Sequence, residues 1–116
     1  MSYDIYLSDE NGETIFFDCP HNLRGGTYAQ GGTTHEAWIN ITYNYSKFFY
    51  EYIDPKAGIR ALYHKKAKDC IPILVNAIDQ LGAERDTDYW KPTAGNAGAA
   101  LESLLKLCQL APEGIG

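Results

Sequence analysis

Apolar and polar residues alternate from the start of the chain. In "YDIYL", Tyr3, Ile5 and Leu7 fall on one side and Asp4 and Tyr6 on the other, the two-residue period of a half-buried strand. Asn11-Gly12 follows, a strong hairpin-turn signal, and "TIFFDC" returns as a second strand. Residues 3 to 19 are therefore expected to form an antiparallel hairpin, closed by Cys19-Pro20. A loop from His21 to about Glu36 is longer than most connections that serve no ligand or partner. "AWINIT" alternates again as a third strand. It sets Ala37, Ile39 and Ile41 against a second row of Trp38, Asn40 and Thr42, which Asn44 joins if the strand continues.

The period then lengthens. "SKFFYEYI" reads as a short helix capped by Asn44 or Ser46 and stopped before Asp54-Pro55. Gly58 opens "GIRALY", another helical turn. In "CIPILVNAIDQLG", apolar residues from Ile71 to Leu81 recur at helical spacing. Asp69 is the expected N-cap, Pro72 falls in the first turn, and Gly82 supplies the stop. Thr93 caps a last helix whose Ala97, Leu101, Leu104, Leu105 and Cys108 form one stripe. Its start, with Gly95 and Gly98, allows a neighbouring backbone to come close, and Pro112 and Gly114 end it. Strands first and helices after predict one α+β domain over residues 1–116. A small antiparallel sheet of about three strands fills the N-terminal half, packed with C-terminal helices.

Composition narrows the function classes. The chain has 116 residues, 45% apolar and 22% charged, enough for one core and ordinary for a soluble protein. It carries no apolar run near the roughly 18 residues a membrane span needs and no basic-then-apolar leader, so a cytoplasmic, non-membrane protein is expected. The net charge is -5, and Lys65, Lys66 and Lys68 form the only basic cluster, which argues against duplex nucleic acid as a partner. Three cysteines, Cys19, Cys70 and Cys108, are odd in number and far apart, which predicts free thiols. Nine Tyr, four Phe and two Trp point towards binding, since aromatic side chains are enriched at interfaces.

The candidate site is the stretch from Gly25 to Phe49. Gly25, Gly26, Thr27 and Tyr28 open a glycine-rich loop whose backbone N–H groups can turn inward on an anion, or which serves as a plain connector. It is neither a P-loop nor a dinucleotide fingerprint. Asn40, Thr42 and Asn44 would project together; their polar groups either read a ligand's edge or hold the loop. Trp90 in "DTDYWKPT" lies beside a helix start and either stacks on a ligand or lids the core. Arg60 is the candidate for pairing with an anion. His21, paired with Asp18 or Glu36, is the one candidate for acid/base chemistry. Cys19, His21, His35 and His64 are too sparse for a zinc site, and no cofactor is expected.

"GGTYAQGGT", "NITYNYSKFF", "GIRALY", "IPILVNAIDQLG", "DYWKPTAGNA" and "PEGIG" resemble, nearly end to end, small proteins encoded by phages and prophages of Gram-positive hosts, a group of largely unassigned function. Where that pattern carries "LYGKT", this chain has Leu62-Tyr63-His64-Lys65-Lys66, which removes an expected helix cap. The resemblance implies an accessory factor that blocks a host defence system. The expectation is a non-enzymatic binding protein, a homo-oligomer in the host cytoplasm, whose partner is a host protein. The alternative is a nucleotide-like molecule held under the glycine loop. A small hydrolase and a virion component are the remaining readings.

Overall fold

The computed structural model describes residues 2–23, 25, 33–86, 88 and 91–115. The fold is α+β; among the described residues it has four short strands in two antiparallel pairs and three α-helices. Strand β1 (Ser2–Tyr6) pairs with β4 (Trp38–Thr42), setting Tyr3 opposite Ile41 and Ile5 opposite Ile39. Those side chains are buried and form the sheet's contribution to the core. Strand β2 (Phe16–His21) pairs with β3 (Thr34–Glu36).

The turn at Asn11-Gly12 forms where the sequence places it. Gly12 N–H donates to Asp9 O at 3.1 Å, Asp9 N–H to Glu13 O at 2.8 Å, and Gly12 has φ +80. Beyond Ile15, however, the two expected hairpin strands part company. Leu7 N–H donates to Ala37 O (2.8 Å), Ala37 N–H to Ile15 O (2.8 Å) and Ile15 N–H to Leu7 O (2.9 Å), a closed ring of three bonds where the two sheets meet. The apolar row of β1 needs an apolar row opposite, and β4 supplies it. "FFDCPH" does not, and its Pro20 has no N–H for a ladder.

The β2–β3 ladder is irregular between its end pairs, and two histidines supply bonds there. His21 Nε2 lies 2.6 Å from Glu36 O, and His35 Nδ1 lies 3.0 Å from Phe17 O. Thr42 caps a single 3-10 turn (Tyr43–Tyr45) that runs into α1 (Ser46–Tyr52), so the expected caps Asn44 and Ser46 are not used. A second 3-10 segment (Gly58–Leu62) follows.

Helix α2 (Ala67–Leu81) begins earlier than its sequence pattern suggests, with Lys66 rather than Asp69 at the cap position and Pro72 inside the helix. The reason is remote in sequence. Ala67 N–H donates to Gly114 O (2.7 Å) and Lys68 N–H to Pro112 O (2.9 Å). The C-terminal segment thus accepts from amides that a helix start otherwise leaves unpaired. Ile115 pairs with Ser8 through both backbone groups. Helix α3 (Ala94–Leu110) is capped by Thr93, whose Oγ1 accepts from Asn96 N–H at 3.1 Å. It packs along α2: a Cβ on Gly98 would overlap the Gly82 carbonyl oxygen and one on Gly95 the Glu84 carbonyl oxygen. Ala97, Leu101, Leu104 and Cys108 are buried as their spacing predicts.

Candidate functional site

The outer row of β4 is engaged inside the fold. Asn40 is 7% exposed, and its Nδ2 lies 2.8 Å from Ser2 Oγ, 2.8 Å from Asp4 Oδ1 and 3.3 Å from Tyr3 O. Asn is uncommon in strands; here it serves a cross-strand network. Thr42, 1% exposed, accepts from Asn44 N–H at 3.3 Å to cap the following turn. The strand ends there, so Asn44 sits in the 3-10 turn and does not extend the row of Asn40 and Thr42.

Gly25 joins this strand from the other edge. Its N–H donates to Asn40 O at 2.9 Å, and its carbonyl accepts from Thr42 N–H at 3.0 Å. A Cβ on Gly25 would overlap the Ile41 side chain, with Ile41 Cα only 2.8 Å away. Glycine is therefore required for close approach at this backbone contact with β4. His21 prepares this placement. Leu23 N–H donates to its Nδ1 at 3.2 Å while Nε2 faces the Glu36 carbonyl. Both ring nitrogens thus face backbone groups. Gly26, Thr27, Tyr28 and Trp90 lie outside the described residues.

Arg60 lies across the sheet from the Asn40 network, on the side of Tyr3. Its guanidinium carbon is 5.5 Å from the Tyr3 ring centroid, and Tyr3 packs edge-on against Tyr43 at 4.4 Å. Burial pushes the nearby Tyr63 hydroxyl up, with Arg60 pulling it partly back.

The outer face of β1–β4 also carries two aromatic residues. Tyr6 and Trp38 are directly opposite, with ring centroids 6.5 Å apart and tilted by 41°. The Leu7–Ala37 bond makes odd positions of β1 the hydrogen-bonded ones, so Tyr6–Trp38 and Asp4–Asn40 are the closer, non-hydrogen-bonded pairs. Trp38 Nε1–H donates to Asp4 Oδ1 at 3.2 Å, the oxygen that also faces Asn40. Tyr6 is 44% exposed and Asp4 is exposed. The alternation of "YDIYL" and "WINIT" shows which residues share this face; only the pairing of β1 with β4 shows that they meet.

A second polar centre holds the α2–α3 connection. Asn96, 3% exposed, accepts from Asp86 N–H (2.9 Å) and donates to Asp88 O (3.0 Å) and Lys91 O (2.9 Å). An Asn inside a helix's first turn, just after a Thr cap, is the sequence signal for such a role. Among the described residues no group of three or more His, Cys, Asp and Glu side chains could hold a metal ion. No described helix is long and apolar enough to cross a membrane. Comparison with protein-family models, with curated proteins and with solved structures finds no match.

Proposed function

We propose that this chain is a non-enzymatic, phage-type accessory protein that acts in the host cytoplasm, as a homo-oligomer, by binding a host protein and so antagonising a defence system. The observation that carries the binding part is the outer face of β1–β4. An aromatic pair, Tyr6 and Trp38, stands on a rigid two-stranded ribbon with a carboxylate beside it. Rigid aromatic anchors of this kind contribute much of the energy of protein interfaces. The resemblance to phage and prophage proteins supplies the host setting.

Sequestration of a nucleotide-like molecule draws less support. Asn40 and Thr42, the side chains expected to read such a ligand, are hydrogen-bonded within the fold. The test is capture from lysate of a Gram-positive host with tagged protein, wild type against Tyr6→Ser. The expected result is a discrete enriched host protein that Tyr6→Ser loses. No enrichment, or enrichment that Tyr6→Ser leaves unchanged, overturns the proposal.

A further inference from the structure

We infer that the partner presents an arginine side chain to this face, and that Tyr6, Trp38 and Asp4 together receive its guanidinium. The inference rests on the protein-binding reading above and adds the chemistry of the contact. Three observations point the same way.

The first is the surface chemistry. An aromatic face attracts a cation through the ring quadrupole, most strongly for Trp. Here Trp38 and Tyr6 stand side by side, with an exposed carboxylate within hydrogen-bonding reach of the indole. Rings and a carboxylate together suit a guanidinium, which is planar, stacks on π faces and offers a fork of N–H donors to a carboxylate. An apolar or anionic group would leave Asp4 unpaired or repelled.

The second is the state of Asp4. Trp38 Nε1–H and Asn40 Nδ2 both lie on Oδ1. These two donors fix the carboxylate's orientation, and Oδ2 has no hydrogen-bond partner among the described residues. Among the described residues, Lys66 and Lys68 lie near Glu113, and Lys106 near Glu102. Asp4 takes part in no ion pair among the described residues, so an external cation meets no internal competitor.

The third is that the chain uses the same pairing within itself. Arg60 stands 5.5 Å from the Tyr3 ring centroid and Lys47 4.9 Å from the Phe48 ring centroid. A net charge of -5 favours approach of a basic surface over long range.

The test follows the Trp38 indole N–H resonance by nuclear magnetic resonance while an acetylated, amidated tri-arginine peptide is added, with tri-glutamine as the neutral control. The expected result is a saturable shift with tri-arginine only. Affinity should weaken by about tenfold in Asp4→Asn, on the scale of one exposed cation–π contact plus one surface ion pair. Asp4→Asn keeps an acceptor for both Trp38 and Asn40, so it removes the charge without removing the network. Tyr6→Ser is the second variant and should weaken binding similarly. No saturable shift, or the same affinity in both variants, overturns the inference. The lysate capture separates this outcome from failure of the wider reading. If Tyr6→Ser loses the partner while tri-arginine leaves Trp38 unmoved, the face binds a protein through other chemistry; if capture is indifferent to Tyr6, the wider reading is gone.

Discussion

Asn40 and Asp4 stand opposite one another on β4 and β1, with the carboxamide nitrogen 2.8 Å from the carboxylate oxygen. The same oxygen takes the Trp38 indole N–H. A buried amide on one strand thereby orients the carboxylate on the next, and the carboxylate orients the aromatic ring beside it.

Asn40→Ala should therefore cost about 1–3 kcal/mol, the scale of leaving a buried hydrogen-bond network incomplete. Asn40→Asp should cost more, because it sets two carboxylates against each other. Urea unfolding of the three proteins checks the order. Equal midpoints for wild type and Asn40→Ala would mean the network contributes nothing net.

Gly98→Ala should destabilise by about 1–3 kcal/mol, since the added methyl must push α3 away from the Gly82 carbonyl. Gly12→Ala provides the contrast: its Cβ meets nothing within 4 Å, and only its φ of +80 opposes the change. Thermal unfolding that ranks Gly12→Ala as the worse substitution would show that α2 and α3 can separate freely.

One substitution before α2 should stabilise and its neighbour should be close to neutral. His64 has φ +67, a left-handed conformation that glycine adopts without a Cβ penalty. Lys66 holds the N-cap position of α2 in extended geometry without a side-chain cap bond. His64→Gly should gain about 0.5–1 kcal/mol, reduced by glycine's extra freedom when unfolded. Lys66→Thr should stay within about 0.5 kcal/mol of the wild type, because the amides a capping side chain would serve, those of Lys68 and Asp69, already donate to the carbonyls of Pro112 and Lys66. It gives up only an exposed ion pair with Glu113, whose worth is small. A fall in melting temperature for His64→Gly, or a clear rise for Lys66→Thr, would contradict this account of the segment.

Alkaline pH should weaken the fold. Burial pushes the Cys108 thiol from about 9 up to about 12, with the nearby Cys70 adding to the shift. Cys70 is pushed up as well, also chiefly by burial. Above about pH 9 the unfolded chain loses these protons while the folded chain keeps that of Cys108, so stability is full below that pH and falls as pH rises towards 12. The slope is at most about 1.4 kcal/mol per pH unit for each thiol. Urea unfolding at a mildly and a strongly alkaline pH should show a shallower loss in Cys108→Ala than in wild type. The same loss in both would assign the alkaline effect to other groups.

What the sequence makes legible here is what is decided locally. Thr93 caps α3, Gly82 ends α2 and Gly12 closes the first turn because each depends on a few neighbouring residues. The N-terminus of α2 is not of that kind, since the acceptors for Ala67 and Lys68 come from Gly114 and Pro112. Strand pairing is not local either. "YDIYL" shows an apolar row but not which row it meets, so the nearest strand is the natural guess and β4 is the actual partner. Asn40 illustrates both sides. Its presence in a strand signals a polar role, but that the role is to hold Asp4 and Ser2 cannot be read without the pairing. The exposed face of Tyr6 and Trp38 is hidden from the sequence for the same reason.

The segment 112–115 also bears on how the protein is made. Its carbonyls receive the first amides of α2, and Ile115 binds Ser8 at the end of the aromatic face. While these residues remain inside the ribosome, α2 lacks its acceptors and β1 lacks that neighbour, even though every strand has already emerged. Completion of the fold thus waits for residues 112–115, which emerge after all the described strands and helices. A nascent chain stalled before residue 112 would expose apolar surface that the finished protein keeps covered, and would depend on chaperones for as long as the stall lasted.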